Sequence, residues 1–212
     1  MSKQIFFIAG TDTDAGKTFV ACQLLRAAQQ RGFRTLGLKP LAAGAEKTAE
    51  GLRNADALLL QQASSVQLPY EVINPFCFLE AIAPHIAAEK SAAEKIGMQL
   101  NARDIALHIR HTLDNTDFDY AVIEGAGGWR VPINEQETLA DVAKLLNAPV
   151  ILVVGMKLGC LNHALLTTEA ITRDGLVLRG WIANDFGNPM PYLKENIAAL
   201  EQRISAPRLL LA

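Results

Sequence analysis

The sequence has few cysteines, no run of basic residues and no long apolar segment. Its three cysteines, Cys22, Cys77 and Cys160, are widely spaced and form no Cys-x-x-Cys pair, which favours reduced structural thiols over disulfides or a zinc site. The formal net charge is −2 and no Lys/Arg cluster is present, which argues against nucleic-acid binding. No apolar stretch approaches the roughly 20 residues that span a bilayer. We therefore expect small molecules or another protein as partners, with no nucleic acid and no membrane.

Length and composition favour one domain. The chain has 212 residues, of which 50% are hydrophobic, and this is enough for one sizeable core. We predict a single domain over residues 1–212, because no linker, repeat or low-complexity tract divides the sequence. Met1, Ser2 and Lys3 lead directly into an apolar segment without the pattern of a signal peptide, so we expect a cytoplasmic protein.

Short apolar runs bounded by turn residues alternate with amphipathic segments along the chain. The apolar runs predict buried strands at 5–9, 35–38, 120–123, 150–154, 181–183 and 208–211. The amphipathic segments predict helices at 17–31, 54–63, 81–93, 102–113, 139–146, 162–173 and 191–204. This alternation favours an α/β fold with a doubly wound, mostly parallel sheet flanked by helices. Ligands of such sheets bind beyond the carboxyl ends of the strands, where we expect Gly10, Lys39, Glu124, Gly155 and Asn184 to gather.

A glycine-flanked loop follows the first predicted strand. Gly10 and Gly16 enclose five residues, one more than in the usual phosphate-binding loop, and Gly16, Lys17 and Thr18 begin the next predicted helix. Backbone N–H groups and the positive end of a helix favour a phosphate here, Lys17 can reach the terminal phosphates, and the Thr18 hydroxyl can hold Mg²⁺. The alternative is an ordinary helix start with chance glycines. Because an apolar strand precedes the loop, we predict a nucleoside triphosphate site.

Two charged residues follow apolar runs at predicted strand ends. Lys39 lies between a strand and Pro40, where it is either a solvated charge or a cation that neutralises a transferring phosphoryl group. Glu124 follows another apolar run and precedes a glycine-rich segment. Burying a carboxylate without a cation costs several kcal/mol, so Glu124 needs Mg²⁺ or a lysine nearby, and the structural alternative is a salt bridge to Lys17.

Two further positions offer carboxylate or amide groups. Asp56 lies at the start of a predicted helix, where it either caps the helix or, with Thr18 and Glu124, supplies oxygen ligands to Mg²⁺. Three such ligands leave octahedral positions for phosphate oxygens and water. Asn184 and Asp185 follow a predicted strand, where they form either a simple turn or a contact with adenine, whose N6 and N7 pair with an amide.

The order and spacing of these motifs resemble those of dethiobiotin synthetases. The resemblance rests on the long phosphate loop at 10–18, Lys39 with Pro40, the segment 44–56, Glu124 with the glycines up to 128, and the segments 153–163 and 180–185. It spans nearly the whole chain. It implies a P-loop NTPase fold and an ATP-dependent ligase, a dethiobiotin synthase of biotin biosynthesis.

The resemblance also implies a reaction and its partners. Such enzymes join CO₂, from bicarbonate, to 7,8-diaminopelargonic acid (7,8-diaminononanoate) and close a cyclic urea, with Mg²⁺ as cofactor and ATP as cosubstrate. One amine captures CO₂ as a carbamate, ATP converts the carbamate into a carbamic-phosphoric anhydride, and the second amine attacks the activated carbonyl. The products are dethiobiotin, ADP and phosphate. The family resemblance further implies a homodimer with active sites near the subunit boundary.

The resemblance assigns roles residue by residue. It makes Lys39 and Lys17 the catalytic residues. The implied contacts with ATP are Asp14, Ala15, Gly16, Lys17, Thr18, Phe19, Asp56, Glu124, Gly125, Ala126, Gly127, Asn184 and Asp185. The implied Mg²⁺ ligands are Thr18, Asp56 and Glu124. The implied contacts with the diamine are Thr13, Lys39, Ala43, Gly159, Cys160 and Asn162, of which the last three hold the substrate carboxylate across the subunit boundary.

Three departures from the family pattern leave alternatives open. Ala43 replaces a usual serine and lacks its hydrogen bond to the substrate, worth ~1 kcal/mol, and Asp14 replaces a more frequent glutamate. The sequence stops at Ala212, where the family continues through a segment that encloses adenine, so we expect a base site open on one side. The alternatives are a nucleotide-binding paralogue and an ATPase switch of the same fold. Such switches commonly carry a second lysine where Thr11 and Asp12 stand here.

Overall fold

The computed structural model describes residues 3–94, 100–187 and 190–211, so the predictions drawn from Met1, Ser2 and Ala212 lie outside the described residues. The strands are β1 (Gln4–Gly10), β2 (Thr35–Leu38), β3 (Leu41–Ala43), β4 (Glu46–Thr48), β5 (Gly51–Arg53), β6 (Phe76–Phe78), β7 (Tyr120–Gly128), β8 (Val150–Gly155) and β9 (Leu178–Asn184). The helices are α1 (Lys17–Gln30), α2 (Ala55–Ala63), α3 (Tyr70–Ile73), α4 (Pro84–Glu94), α5 (Ala102–Asp114), α6 (Leu139–Leu146), α7 (Cys160–Arg173) and α8 (Leu193–Glu201).

Five strands form one parallel sheet in the order β2-β7-β1-β8-β9. Strand β1 lies at its centre, where Ile8 pairs with Glu124 of β7 and with Ile151 of β8. The central strands are nearly continuous apolar runs because helices cover both faces of a parallel sheet. The predicted doubly wound, mostly parallel α/β fold is therefore confirmed.

Two apolar cores lie on the two faces of this sheet. Ile8 and Val122 point to one face and pack with Leu25 of α1. Phe7 and Ile123 point to the other face, into the core that also contains buried residues of α5, α6 and α7. Neighbouring residues separate in this way because successive side chains of a strand point to opposite faces. The helices thus fix the sheet from both sides and leave its carboxyl edge free.

The prediction of a last strand at 208–211 is wrong. Only Arg208 forms a bridge, and its partner is Trp181 of β9. Trp181 N donates to Pro207 O at 3.1 Å, and Leu209 N donates to Trp181 O at 2.8 Å. Because Pro207 has no N–H to donate, the pairing does not extend toward the amino-terminal side of the bridge.

The packing of the segment 51–113 does not follow from the sequence pattern. In the structure, this segment and the residues just before it form two small sheets and helices α2 to α5. Strand β3 pairs with β6 in parallel, and β4 pairs with β5 as an antiparallel hairpin. Strand β3 begins directly after Lys39 and Pro40, so these elements continue from the carboxyl end of β2. They add a wall beside the edge at which the predicted site residues gather.

The helices begin at capping or first-turn residues rather than where the apolar periodicity of the sequence begins. Asn54 caps α2, since its side chain accepts a hydrogen bond from Ala57 N at 3.2 Å. Helix α4 begins at Pro84 rather than at residue 81, because proline is favoured in the first turn. Helix α7 begins two residues earlier than predicted, and α8 is shorter than predicted.

None of the helices in the described ranges is both long and apolar enough to cross a membrane.

Candidate active site

The loop between β1 and α1 is shaped by Gly16, which has a φ of 89° directly before the helix. A Cβ at this position would lie 1.8 Å from Asn184 Nδ2, so only glycine fits without movement. Asn184 Nδ2 in turn donates to Ala15 O at 3.0 Å and holds the loop against β9. No described side chain caps α1. Its first N–H groups are therefore available to an anion.

Lys17, the first residue of α1, is buried beside this loop. It is 7% exposed, and its Nζ donates to the backbone oxygen of Asp12 at 3.2 Å. Burial, followed by the positive charge of Lys39, lowers the pKa of Lys17 to about 8. A phosphate group in the loop would supply the counter-charge that this ammonium needs.

Lys39, Glu124 and Thr18 form a hydrogen-bonded cluster where β2 and β7 lie side by side. Lys39 Nζ donates to Glu124 Oε1 at 2.7 Å and to Gly125 O at 2.8 Å. Thr18 Oγ1 donates to the same Glu124 oxygen at 2.9 Å. Lys39 and Glu124 are buried, so the interpretation of Lys39 as a solvated charge is wrong. Glu124 has the lysine partner that its burial requires, but this partner is Lys39 rather than Lys17.

The oxygen atoms of this cluster fit Mg²⁺. Glu124 Oε2 is buried and has no hydrogen-bond partner among the described residues, which marks an unused bonding position. Asp56 Oδ2 lies 3.9 Å from Lys39 Nζ, and Asn54 rather than Asp56 caps α2. Carboxylate and hydroxyl oxygens are the hard ligands that Mg²⁺ prefers. Thr18, Asp56 and Glu124 are therefore a suitable donor set for this ion.

A cavity of about 770 Å³ opens at this edge of the sheet. The predicted site residues that line it are Thr13, Asp14, Gly16, Lys17, Thr18, Phe19, Lys39, Ala43, Asp56, Glu124, Ala126 and Gly127. The lining residues that the sequence did not indicate are Ala42, Asn54, Ala81, Ile82, Ala83, Pro84, Val131, Pro132 and Phe186. The cavity is thus polar beside the phosphate loop and apolar along residues 81–84 and 131–132.

Seven predicted residues do not line this cavity: Ala15, Gly125, Gly159, Cys160, Asn162, Asn184 and Asp185. Ala15 and Gly125 accept hydrogen bonds at their backbone oxygens, as described above for Asn184 and Lys39. Asn184 is buried and supports the phosphate loop, so it is more than a simple turn residue. Gly159, Cys160 and Asn162 lie at the start of α7, outside the cavity of their own chain.

Phe186 is a cavity residue that the sequence did not indicate. It adopts a φ of 56° and is 47% exposed. Its Cε1 atom lies 3.0 Å from the place of a Cβ at Gly16, and its Cε2 atom lies 3.5 Å from that of Gly155. Its only signal in the sequence is its position two residues after Asn184. The ring therefore covers two glycines at the edge of the sheet.

The depressed pKa of Lys17 predicts proton uptake when nucleotide binds. Between pH 8 and 9 part of the free protein carries a neutral Lys17, and the phosphates of ATP favour the charged form. We expect ATP to bind with uptake of a proton and with an affinity that falls as the pH rises above about 8. Isothermal titration calorimetry in two buffers of different ionisation enthalpy measures this uptake.

Lys17→Arg is the matched control for proton uptake, because a guanidinium stays charged throughout this range. Equal uptake in both proteins would contradict the assignment to Lys17. The same shift affects folding. Above pH 8 the unfolded chain keeps a proton that the native state has lost, so the free energy of unfolding should rise between pH 8 and the ordinary lysine value of 10.5.

Comparison with known proteins gives the family. The family described as "AAA domain" matches residues 4–211. The ATP-dependent dethiobiotin synthetase BioD of Cellvibrio japonicus is 57% identical over 209 residues, which cover 99% of this chain and 89% of that protein. The protein of the same name from Pseudomonas aeruginosa is 49% identical over 204 residues, with 96% and 87% covered.

A solved structure gives the same fold. The septum site-determining protein MinD from Pyrococcus horikoshii, complexed with Mg-ADP, has a TM-score of 0.54 at 18% sequence identity, over 98% of this chain and 79% of that one. At this identity the likeness concerns the fold, and it confirms the predicted P-loop NTPase-like architecture. From the identity to its relatives over nearly its whole length, the chain belongs to the ATP-dependent dethiobiotin synthetase family of ligases.

Proposed function

We propose that this chain converts 7,8-diaminopelargonic acid and CO₂ into dethiobiotin in an ATP- and Mg²⁺-dependent reaction that releases ADP and phosphate. The observation that carries the proposal is the buried pair of Lys39 and Glu124, which lies between a phosphate loop and an apolar wall in one cavity. A phosphate loop alone would serve hydrolysis or switching equally well. The name of the relatives supports the same reaction.

The phosphate loop and α1 supply the ATP site. Backbone N–H groups of residues 14–19 bind the phosphates, and the Lys17 ammonium binds the terminal one. The residues that would hold Mg²⁺ are Thr18, Asp56 and Glu124. When bound, Mg²⁺ neutralises charge on the phosphate oxygens. Asn184 and Asp185 remain the proposed neighbours of adenine, at the carboxyl end of β9.

The reaction proceeds by activation of a carbamate. One amine adds to CO₂ and loses a proton, which gives the carbamate. A carbamate oxygen attacks the terminal phosphorus of ATP, ADP leaves, and a carbamic-phosphoric anhydride forms. The second amine then attacks the carbonyl carbon, phosphate leaves, and the ring closes with loss of a proton. Lys39 offsets the negative charge on the carbamate and on the moving phosphoryl group.

The apolar wall of the cavity fits the methylene chain of the diamine. Residues 81–84 and 131–132 provide this wall, and Ala43 lies in the same lining without a hydroxyl. Thr13 approaches the glycine-rich end of β7, since its Oγ1 lies 3.5 Å from the place of a Cβ at Gly127. These lining residues support a pose in which the reacting amines lie beside Lys39, so that substrate binding brings the reacting groups together.

The homodimer is also part of the proposal. Gly159, Cys160 and Asn162 begin α7, a helix of 14 residues whose first N–H groups have no described side-chain cap. They suit a substrate carboxylate that is bound in the cavity of a second subunit. A cytoplasmic location accords with this role in biotin biosynthesis.

Product analysis tests the proposed function. The protein with 7,8-diaminopelargonic acid, bicarbonate, ATP and Mg²⁺ should form dethiobiotin, detected by mass spectrometry, and omission of any one component should abolish the product. ATP hydrolysis that is independent of the diamine, with no dethiobiotin, would overturn the proposal in favour of an ATPase switch. Nucleotide binding with neither product nor hydrolysis would favour a paralogue.

A further inference from the structure

A buried tyrosine outside the cavity connects two segments that carry site residues. Tyr70 lies on α3, is 7% exposed and is not part of the cavity lining. Its hydroxyl donates to Asn74 Oδ1 at 2.8 Å and accepts a hydrogen bond from Asn54 N at 2.7 Å. The single oxygen thus joins two asparagines that are 20 positions apart in the chain.

The first asparagine leads to Lys39. Asn74 Nδ2 donates to the backbone oxygen of Lys39 at 2.5 Å. Lys39 N donates to Ile73 O at 3.0 Å, so the same turn after α3 holds both backbone groups of this lysine. Asn74 is 3% exposed, and no solvent competes for these bonds. The direction in which the Lys39 side chain leaves β2 is therefore set by the end of α3.

The second asparagine leads to Asp56. Asn54 caps α2 through a hydrogen bond from Ala57 N, and Asp56 lies in the first turn of that helix. The Tyr70 hydroxyl fixes the backbone of Asn54, and hence the point at which α2 begins. At the cavity surface, Asp56 Oδ2 and Lys39 Nζ are 3.9 Å apart.

The chemistry of Tyr70 excludes a direct role as an acid or base. Burial raises the pKa of the phenol well above its ordinary value of 10, so the hydroxyl stays protonated. Its ring packs beneath the Arg53 guanidinium, 4.3 Å from the ring centroid, which further fixes its orientation. Tyr70 is a neutral group whose hydroxyl donates to Asn74, accepts from Asn54 N and also lies 3.7 Å from Cys77 Sγ.

We propose that Tyr70 is a positioning residue, whose hydroxyl fixes the position of Lys39 relative to Asp56 at the cavity surface. This inference rests on the roles proposed above for these two residues. The hydroxyl contacts the backbone of Asn54 directly and that of Lys39 through Asn74, so a displacement of one segment moves the other. Displacements of about 1 Å at such groups lower a rate by about 100-fold. What the hydroxyl maintains is the separation of an ammonium and a carboxylate, rather than a contact with substrate.

Tyr70→Phe tests this proposal, because it removes one oxygen atom and keeps the ring. We expect kcat for dethiobiotin formation to fall by ~10- to 100-fold, with the KM for ATP changed less than about two-fold, since the phosphate loop is untouched. Tyr120→Phe is the matched control. Tyr120 is a buried tyrosine that packs against Phe6 and makes no side-chain hydrogen bond to a described residue. Equal losses of kcat in both variants would overturn the proposal.

A second measurement does not depend on catalysis. Mn²⁺ bound in the presence of a non-hydrolysable ATP analogue is measured by electron paramagnetic resonance on the full protein. Tyr70→Phe should weaken Mn²⁺ binding by ~3- to 10-fold, and this effect should be largely absent when Asp56 is already asparagine. An undiminished effect in the Asp56→Asn background would show that Tyr70 does not act through Asp56, and would overturn the proposal.

A further variant distinguishes an unfolded protein from a folded protein in which Lys39 is displaced. Asn74→Leu keeps the branched shape of the side chain and removes the hydrogen bond to the Lys39 backbone. It should reproduce the fall in kcat at a temperature where circular dichroism shows a folded protein. A folded Asn74→Leu protein with unchanged kcat would count against the proposal. If the wild type forms no dethiobiotin, the proposed function fails. The Mn²⁺ binding measurements on the Tyr70 and Asp56 variants still decide the role of Tyr70.

Discussion

A Lys39→Ala variant should form dethiobiotin at least ~100-fold more slowly than the wild type while it still binds ATP. The ammonium of Lys39 serves charge that develops on the carbamate and the phosphoryl group, whereas ground-state binding of ATP depends on the phosphate loop and Lys17. Product formation by mass spectrometry and ATP binding by calorimetry measure the two effects separately. Turnover within about ten-fold of the wild type would show that Lys39 is not catalytic.

The Lys39→Ala substitution also lowers the free energy of unfolding, and this effect has to be distinguished from the loss of turnover. It leaves Glu124 buried without its lysine, and breaking a buried ion pair in this way costs about 3 to 5 kcal/mol. The double variant Lys39→Met, Glu124→Gln removes both charges and should recover much of that loss in denaturant unfolding. It should nevertheless remain without turnover, because it lacks both the Lys39 ammonium and the Glu124 carboxylate that is proposed to hold Mg²⁺. Recovery of activity along with stability would mean that Lys39 is only structural.

Gly16→Ala should abolish measurable ATP binding. The added Cβ would lie 1.8 Å from Asn184 Nδ2, so either the loop or the side chain that holds Ala15 must move. The φ of 89° adds a backbone cost of about 1 to 2 kcal/mol for a residue with a Cβ. Calorimetric titration with ATP measures binding, and urea unfolding measures the total loss of stability, which we expect to exceed about 2 kcal/mol.

Gly32→Ala separates the two causes of that loss. Gly32 has a φ of 83°, close to that of Gly16, but apart from its chain neighbours no atom of the described residues lies within 4 Å of the place of its Cβ. This control should lose only the backbone term, about 1 kcal/mol, and should keep its affinity for ATP. If Gly16→Ala binds ATP as well as Gly32→Ala does, the tight contact between the phosphate loop and β9 is not required for the nucleotide site.

The sheet and its functional edge were predictable because their signals are local. Apolar runs give the five strands, and the glycine-flanked loop before Lys17 gives the phosphate site. The partner of Glu124 is different, since the sequence left Mg²⁺ and a salt bridge open. Leu38, the last residue of β2, pairs with Ile123, so the residues that follow are Lys39 and Glu124 of β7. That register follows from packing between distant segments, which one sequence does not reveal.

The small sheet of β3 and β6, which brings Ala42 and Ala43 to the cavity, was not predictable for a related reason. Strands β3 and β6 have three residues each, too few for an alternating pattern, and they pair across more than 30 positions of the chain. The contribution of Phe186 depends on its left-handed backbone and on the two glycines beneath it. Residues whose role comes from such tertiary contacts carry no motif, whereas the phosphate loop carries one.

The central place of β1 has a consequence for how the protein is made. Both of its neighbours come late in the chain, since roughly 110 residues separate Gly10 from Tyr120. Ribosomes add about 5 to 20 residues per second, so the apolar strand β1 remains unpaired for roughly 5 to 20 seconds until β7 is synthesised. The growing chain, rather than the finished enzyme, is therefore the form in which this protein most needs protection from aggregation.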